Sequence, residues 1–405
     1  MTQIEEARKG NATNELKQIA KKEGIPEKKL MKQVSDGKVV VTKNIKRENA
    51  LAIGQGTRVK INANIGLSET RGTIKGEIEK AQVAVEAGAH AVMDLSIGSK
   101  SRDSRKAIIK AIDVPIGTVP VYESKDITAD SVFKSVERHL KDGVDFITVH
   151  CGVTKESVES LEKQDRLIPM VSRGGSIIAK YIMDTGEENP LYKEYDYLLE
   201  LAKEYDATLS LGDGMRPGCL KDATDSPQLK ELEILGQLVK RARAKDVQSM
   251  VEGPGHIPLH EVEKNIKLEK QLCHEAPFYV LGPLVIDTGV GWDHLVSAIG
   301  GAVAALHGAD FLCYVTPAEH VGLPEKEDVK QGVIASKIAA HAADITRGFD
   351  IDQDHAISKA RSELEWKKQV DYAIDPSKFS CYKLKNRAPC SMCDSYCPIK
   401  RLKKE

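Results

Sequence analysis

Val247-Gln248-Ser249-Met250-Val251-Glu252-Gly253-Pro254-Gly255-His256 runs from a short apolar stretch into an acid, a tight turn and a histidine. An apolar run of this length bounded by turn residues reads as a buried strand. Glycines on both sides of a proline make the turn tight, so Glu252 and His256 are presented where the strand ends. The same pattern recurs along the chain. Further candidate strands lie at 58–64, 89–95, 115–121, 145–150, 167–172, 207–212, 278–286 and 309–315, with amphipathic stretches between them. In one such stretch Ile74, Ile78, Ala81 and Val85 share a face before a stop at Gly88. In another, 224–244, Leu229, Leu232, Leu235 and Leu238 are expected to be buried.

Strands alternating with helices favour a parallel sheet. The polar residues decide its form. Asn64, Asp94, Tyr122, His150, Ser172-Arg173, Asp213 and Glu252 all sit at or just past the C-terminal end of a candidate strand. A barrel gathers those ends on one face, whereas an open doubly wound sheet concentrates its chemistry at one switch point. The chain has no G-x-G-x-x-G or G-x-x-x-x-G-K-[ST] motif to support the open sheet. The expected fold is therefore α/β, a TIM-type (βα)8 barrel over 57–325, with eight of the nine candidate strands closing it. A Lys-rich, largely helical segment, 1–56, precedes it. A helical C-terminal region, 326–375, follows, with helices over 326–347 and 355–373, and a cysteine-rich tail, 376–405, ends the chain.

The chain has 405 residues, 41% of them hydrophobic, enough for one large barrel with appendages. Its 59 basic and 60 acidic residues leave a net charge of −1, which points to neither nucleic acid nor an anionic membrane as a partner. The polar start Met1-Thr2-Gln3-Ile4-Glu5-Glu6 does not read as a signal peptide, and no apolar run reaches the roughly 18 residues of a membrane span. A cytoplasmic location is expected, where eight cysteines suit metal or redox chemistry better than disulfides.

Cys390-Ser391-Met392-Cys393-Asp394-Ser395-Tyr396-Cys397-Pro398 puts three thiols within eight residues, enough to wrap one centre of iron or zinc. Three ligands to a 4Fe–4S cluster leave one iron open, and the trailing proline echoes iron–sulfur motifs. A structural zinc knot completed by Cys381 or a histidine suits the spacing too. His256 and His320, each ending an apolar strand, could share a divalent metal or be hydrogen-bonded core residues. Ser172-Arg173-Gly174-Gly175-Ser176 and Gly212-Asp213-Gly214-Met215-Arg216-Pro217-Gly218 set glycine N–H groups beside an arginine, which suits a phosphate or carboxylate. His274-Glu275 and Asp293-His294 read as surface or capping pairs before acid–base pairs. Cys151, Cys219, Cys273 and Cys313 read as small buried hydrophobes.

Taken together, Asn62-Ala63-Asn64-Ile65-Gly66, Met93-Asp94-Leu95-Ser96, Val171-Ser172-Arg173-Gly174-Gly175-Ser176, Gly214-Met215-Arg216-Pro217-Gly218, Glu252-Gly253-Pro254-Gly255-His256, the Cys273–Tyr279 and Leu312–His320 stretches and Cys390-Ser391-Met392-Cys393 resemble the phosphomethylpyrimidine synthase family in its short form. The resemblance spans the whole chain. It implies a radical S-adenosylmethionine carbon–carbon lyase acting on aminoimidazole ribotide. Substrate contacts are implied for Asn64, Met93, Tyr122, His150, Ser172, Asp213, Arg216, Glu252 and Tyr279, with Arg173, Gly174 and Gly214 beside them in the anion loops. Cys390, Cys393 and Cys397 would bind a 4Fe–4S cluster, and His256 and His320 one zinc or iron. No residue is singled out as catalytic acid or base. The resemblance also implies an external electron donor and a dimer, with itself or a paralogue, whose tail reaches a neighbouring active site.

The chain departs from the family pattern at Leu95-Ser96-Ile97-Gly98, where threonine is expected for Ile97. It departs again at Asp287-Thr288-Gly289-Val290-Gly291-Trp292-Asp293-His294, where a proline and a tyrosine are expected for Val290 and Trp292. Asp394 stands where glycine is usual, and the Cys393–Cys397 gap is one residue short. These changes suit the related 5-hydroxybenzimidazole synthases, which act on the same ribotide in making the lower ligand of cobamides. That product is the first expectation and hydroxymethylpyrimidine phosphate, for thiamine, the alternative. A metal-dependent hydrolase using His256 and His320, or a zinc-bound non-catalytic subunit, are the rivals from other classes.

Overall fold

The computed structural model describes residues 1–402 apart from 125 and 383, so position 383 and the last three residues of the cysteine-rich tail, 403–405, lie outside the described residues. The chain forms two compact units, Met1–Ala343 and Asp344–Glu405.

The larger unit is built on a closed barrel. Its strands are preceded by an antiparallel pair, β1 (Val39–Thr42) and β2 (Leu51–Gly54). The barrel strands are β3 (Lys60–Ile65), β4 (Ala91–Asp94), β5 (Ile116–Thr118), β6 (Phe146–Val149), β7 (Thr208–Leu211), β8 (Ser249–His256), β9 (Phe278–Leu284) and β10 (Phe311–Cys313). They pair in chain order, all parallel, and β10 closes on β3. Side chains alternate across each strand. Val92, Ile147, Val149 and Val251 therefore face the surrounding helices, whereas Ala91, Met93, Phe146, Met250 and Phe311 fill the interior. Phe311 stacks at 4.4 Å from the Tyr279 ring and meets Phe146 edge-on at 6.2 Å. Gly117 is glycine for this reason: a Cβ there would lie 2.2 Å from the Phe146 ring.

The N-terminal segment folds as three helices, Gln3–Arg8, Asn14–Glu23 and Glu27–Ser35, packed with β1 and β2 around their own apolar cluster. It is tied to the bottom of the barrel. The Gln248 amide, just before β8, bonds both backbone groups of Val41, and Asp145, just before β6, accepts from the Asn44 N–H at 2.8 Å. With the N-terminal ends of the strands covered, the opposite end is the open mouth.

The stretch 167–172 forms no strand. Leu167 and Val171 are exposed, and the N–H groups of Leu167 and Ile168 both donate to the Asp222 carboxylate instead of a ladder. The segment is a linker into helix Arg173–Thr185. In helix Ser226–Ala244, Leu235 and Leu238 are buried but Leu229 and Leu232 only half-buried. The helix from Lys326 ends at Thr346, as expected. The single helix expected over 355–373 is instead two, Ile351–Ser362 and Trp366–Tyr372. Leu364, buried and at φ 57°, breaks the run by taking the left-handed conformation. Among the described residues no helix is long and apolar enough to cross a membrane.

Candidate active site

Moving up three of the strands towards the mouth, the interior positions become more polar: Phe146 to Thr148 and His150, Met250 to Glu252, Phe311 to Cys313. The result is a cavity with about 490 Å³ of space. Nine of the twelve expected contact residues line it: Asn64, Met93, Tyr122, His150, Ser172, Asp213, Arg216, Glu252 and Tyr279. Arg173, Gly174 and Gly214 do not, but each shapes it. Arg173 stacks over the Tyr122 ring at 5.1 Å. A Cβ on Gly174 would lie 2.2 Å from His150 Cε1, so only glycine lets the helix start approach that ring. Gly214 and Gly175 bring the two anion loops together, since a Cβ on Gly175 would lie 2.5 Å from Gly214 Cα.

Hydrogen bonds fix most of these side chains from behind. Ser172 caps helix Arg173–Thr185, its hydroxyl accepting from the Gly175 N–H at 3.1 Å, and it also bonds His150 Nε2 at 3.1 Å. The Glu252 carboxylate accepts from Thr148 at 2.7 Å and from Ser210. Asn62 donates to the Tyr279 hydroxyl at 2.7 Å and to Asn64 Oδ1 at 2.8 Å, while Asn64 Nδ2 donates to Cys313 Sγ at 3.0 Å. Arg216 donates to Asp213 Oδ1 at 2.9 Å. Asp213 Oδ2, Arg216 Nε and His150 Nδ1 are buried without a protein partner, as befits atoms kept for a ligand or water.

The charges follow from this packing. Burial, with some help from Arg216, drops the His150 pKa to about 3, so the ring is neutral. Burial and then the Asp213 charge push Glu252 up to about 7, the range in which a carboxyl both gives and takes a proton near neutrality. Burial also raises Asp213, against the pull of Arg216. Burial opposes the Arg216 charge, but Asp213, Tyr122 and Glu252 together outweigh it and hold the guanidinium protonated.

His256 and His320 come together with ring centroids 5.4 Å apart. His256 Nδ1 bonds Asp287 at 2.8 Å, and His320 Nδ1 bonds Asp293 at 2.9 Å. A carboxylate on Nδ1 fixes the tautomer that leaves Nε2 as a lone-pair donor, the arrangement usual behind metal-bound histidines. The donor set thus fits a zinc or iron ion. Among the described residues, however, no group of three or more His, Cys, Asp or Glu side chains forms a ready-made metal cage. Asp293, read from sequence as a capping or surface residue, is buried and holds His320. Sequence reasoning also missed Asp287, Thr148, Ser210 and Cys313, the last placed among buried hydrophobes. It is buried, and burial raises its thiol to about 12, yet it lines the cavity. Period-two alternation up from Phe146 and Phe311 would have pointed Thr148 and Cys313 inward.

In the smaller unit, Cys390, Cys393 and Cys397 lie on consecutive tight turns. The Cys393 and Asp394 N–H groups donate to the Cys390 carbonyl, and the Tyr396 N–H to that of Cys393. Backbone N–H groups of Cys393 and Met392 lower the Cys390 thiol pKa. Burial and then the Cys390 thiol raise that of Cys393, and the three do not already form a cage, but three thiols in one short segment suit an iron–sulfur cluster by their chemistry. Trp366 Nε1 and the Lys367 N–H anchor the start of this segment on Ala388 and Asn386.

Comparison with known proteins agrees with this geometry. The profile of the Radical SAM ThiC family matches residues 2–404. Phosphomethylpyrimidine synthase of Thermodesulfovibrio yellowstonii is 52% identical, covering 99% of this chain and 98% of its own. Phosphomethylpyrimidine synthase 2 of Methanothermobacter thermautotrophicus is 50% identical over the full length of both. That of Thermococcus kodakarensis is 51% identical over 99% of this chain and 97% of its own.

Proposed function

Since the chain belongs to the radical SAM ThiC family, and is therefore a radical S-adenosylmethionine enzyme, we propose that it is a phosphomethylpyrimidine synthase rearranging aminoimidazole ribotide to hydroxymethylpyrimidine phosphate. The observation that carries this reading is the convergence of Tyr122, His150, Ser172, Asp213, Arg216 and Glu252 on one polar cavity at the barrel mouth. The relatives' name supports this product more directly than 5-hydroxybenzimidazole. Ile97 and the Gly289–Trp292 stretch, which motivated the benzimidazole reading, do not line the cavity, and Trp292 is exposed.

When bound, a 4Fe–4S cluster held by Cys390, Cys393 and Cys397, together with S-adenosylmethionine, supplies the one-electron chemistry that starts such a rearrangement. The chain's own residues bind, orient and move protons. Ser172 and the N–H groups at the start of helix Arg173–Thr185 suit the ribotide phosphate. His150 Nδ1, buried without a protein partner, suits a ribose hydroxyl. Glu252, poised at about 7, can take a proton from the imidazole end and return it. Met93 and Tyr279 wall the cavity with apolar surface that limits water. His256 and His320 would hold zinc or iron. An external electron donor, a dimeric partner that is either a second copy or a paralogue, and a reducing cytoplasmic setting complete the reading.

The test is anaerobic turnover of the reconstituted chain with aminoimidazole ribotide, S-adenosylmethionine and a reductant, with products identified by mass spectrometry. Hydroxymethylpyrimidine phosphate is expected. 5-Hydroxybenzimidazole, alone or on adding a paralogous subunit, would overturn the reading.

A further inference from the structure

Behind the substrate cavity lies a second, smaller chamber with room for about one water molecule, and Asp213, Arg216, Glu252 and Gly253 form the wall between the two. Its far side is helix Ser226–Ala244, which contributes Gln228 and Glu231, and helix Leu259–Leu272, which contributes Asn265. Glu231 is 2% exposed. Its Oε2 accepts from the Met215 N–H at 2.8 Å, and its Oε1 has no protein partner. Two atoms of the shared wall, Asp213 Oδ2 and Arg216 Nε, are unpartnered as well. Three buried unpartnered polar atoms around one small space form a built water site, because each would otherwise bear an uncompensated desolvation cost.

We propose that this chamber holds ordered water and that Glu231, which does not reach the substrate cavity, is a positioning residue that stores a proton for Asp213 and Glu252. Asp213, Glu231 and Glu252 share a single guanidinium, Arg216, in a region largely closed to solvent. Three buried carboxylates cannot all ionise against one cation, so at least one holds a proton. Asp213 is paired with Arg216 and Glu252 accepts from two hydroxyls, whereas Glu231 accepts from the Met215 N–H and makes no ion pair among the described residues, so the proton rests on Glu231, whose carboxyl burial and then Asp213 raise. When the substrate draws a proton, Glu231 passes its own through chamber water to Asp213 or Glu252, which delivers it, and Glu231 is left as carboxylate. Reprotonation comes from solvent through the chamber water, which Gln228 and Asn265 hold on its far side without relaying protons themselves. Gln228 donates to Asn265 at 2.9 Å, Asn265 to the Thr224 hydroxyl at 2.9 Å, and Thr224 to Glu261, whose side chain reaches the surface. Of the other elements around Glu231, helix Lys155–Lys163 offers Glu156, which pairs with Lys230 at 3.2 Å.

This inference rests on the proposed reaction but is tested partly without it. Difference infrared spectroscopy of the whole chain at pH 7, wild type against Glu231→Gln, is expected to show a protonated-carboxyl band that the variant lacks. In turnover, E231Q keeps the bond to Met215 and is expected to hold KM within about twofold while kcat falls about 10- to 100-fold. Asn265→Leu leaves Glu231 in place and is expected to keep the band while slowing kcat. No band in the wild type, or wild-type kcat in both variants, overturns the proposal. A wild type with the band but a different product leaves the proton store standing and sinks only the reaction assigned above.

Discussion

His256 and His320 meet with ring centroids 5.4 Å apart, and each is held at Nδ1 by its own aspartate, Asp287 and Asp293. The two supports are unequal: the Asp293 side chain is 4% exposed and that of Asp287 42%. A buried carboxylate holds a ring more firmly than a solvated one. One zinc ion per chain is expected to bind, and Asp293→Ala to weaken it about 10- to 100-fold, with Asp287→Ala costing less. Competition against a chromogenic chelator measures both. Equal and undiminished affinity in the two variants would remove this pair as the metal site.

Glu252 makes stability depend on pH in a definite direction. Its folded pKa is raised to about 7 from the ordinary 4.5, so between those values the native state holds a proton that the unfolded chain releases. Stability from this group is therefore present below about 4.5, falls as pH rises towards 7, and levels off above it. Glu252→Gln is expected to flatten that fall and to make the ligand-free chain more stable at pH 8, by a few kcal/mol at most. Denaturant unfolding of wild type and variant at pH 5 and pH 8 reads the difference. A variant as pH-sensitive as wild type over this range would place the titration elsewhere.

The barrel was legible because short apolar runs between amphipathic stretches, and polar residues at their C-terminal ends, are local signals. The surplus strand at 167–172 shows the limit of that logic. Its apolar run looks like the others, but Asp222, 54 residues beyond Ile168, captures the N–H groups of Leu167 and Ile168. A distant carboxylate cannot be read from a local pattern. The same holds for Asp287 and Asp293, whose roles exist only once His256 and His320 stand opposite them, and for Glu231, which periodicity assigns to a helix but not to a chamber. Leu364 was missed for another reason: a buried leucine at φ 57° goes against its own preference, and only packing holds it there.

Gly174 and Gly117 separate binding from folding. A Cβ at 174 would strike His150 Cε1 at 2.2 Å, and one at 117 the Phe146 ring at 2.2 Å. The first lies at the mouth, where the imidazole can swing aside into the cavity. The second lies in the packed interior, where nothing gives. Gly174→Ala is expected to weaken ribotide binding at least about tenfold with a small loss of stability. Gly117→Ala is expected to cost about 1–3 kcal/mol of stability. Calorimetric binding and thermal unfolding of both variants check the split, and the reverse pattern would refute it.

Asp394 stands where the family resemblance leads one to expect glycine, and its backbone is at φ 41°, in the left-handed region. For a residue with a Cβ that conformation costs about 1–2 kcal/mol, somewhat less for aspartate, whose short side chain tolerates it. The turn nonetheless forms, because the Asp394 N–H closes onto the Cys390 carbonyl and the Tyr396 N–H onto that of Cys393. Asp394→Gly removes the strain at the price of a more flexible unfolded tail, so the net gain is expected to be below about 1 kcal/mol. Asp394→Val, branched at Cβ, is expected to open the turn. Amide exchange at Asp394 and Tyr396 reports on these two hydrogen bonds directly. Exchange should slow in the glycine variant and quicken in the valine one, and if valine left both amides as protected as aspartate does, the left-handed turn would not be what draws Cys390 and Cys393 together.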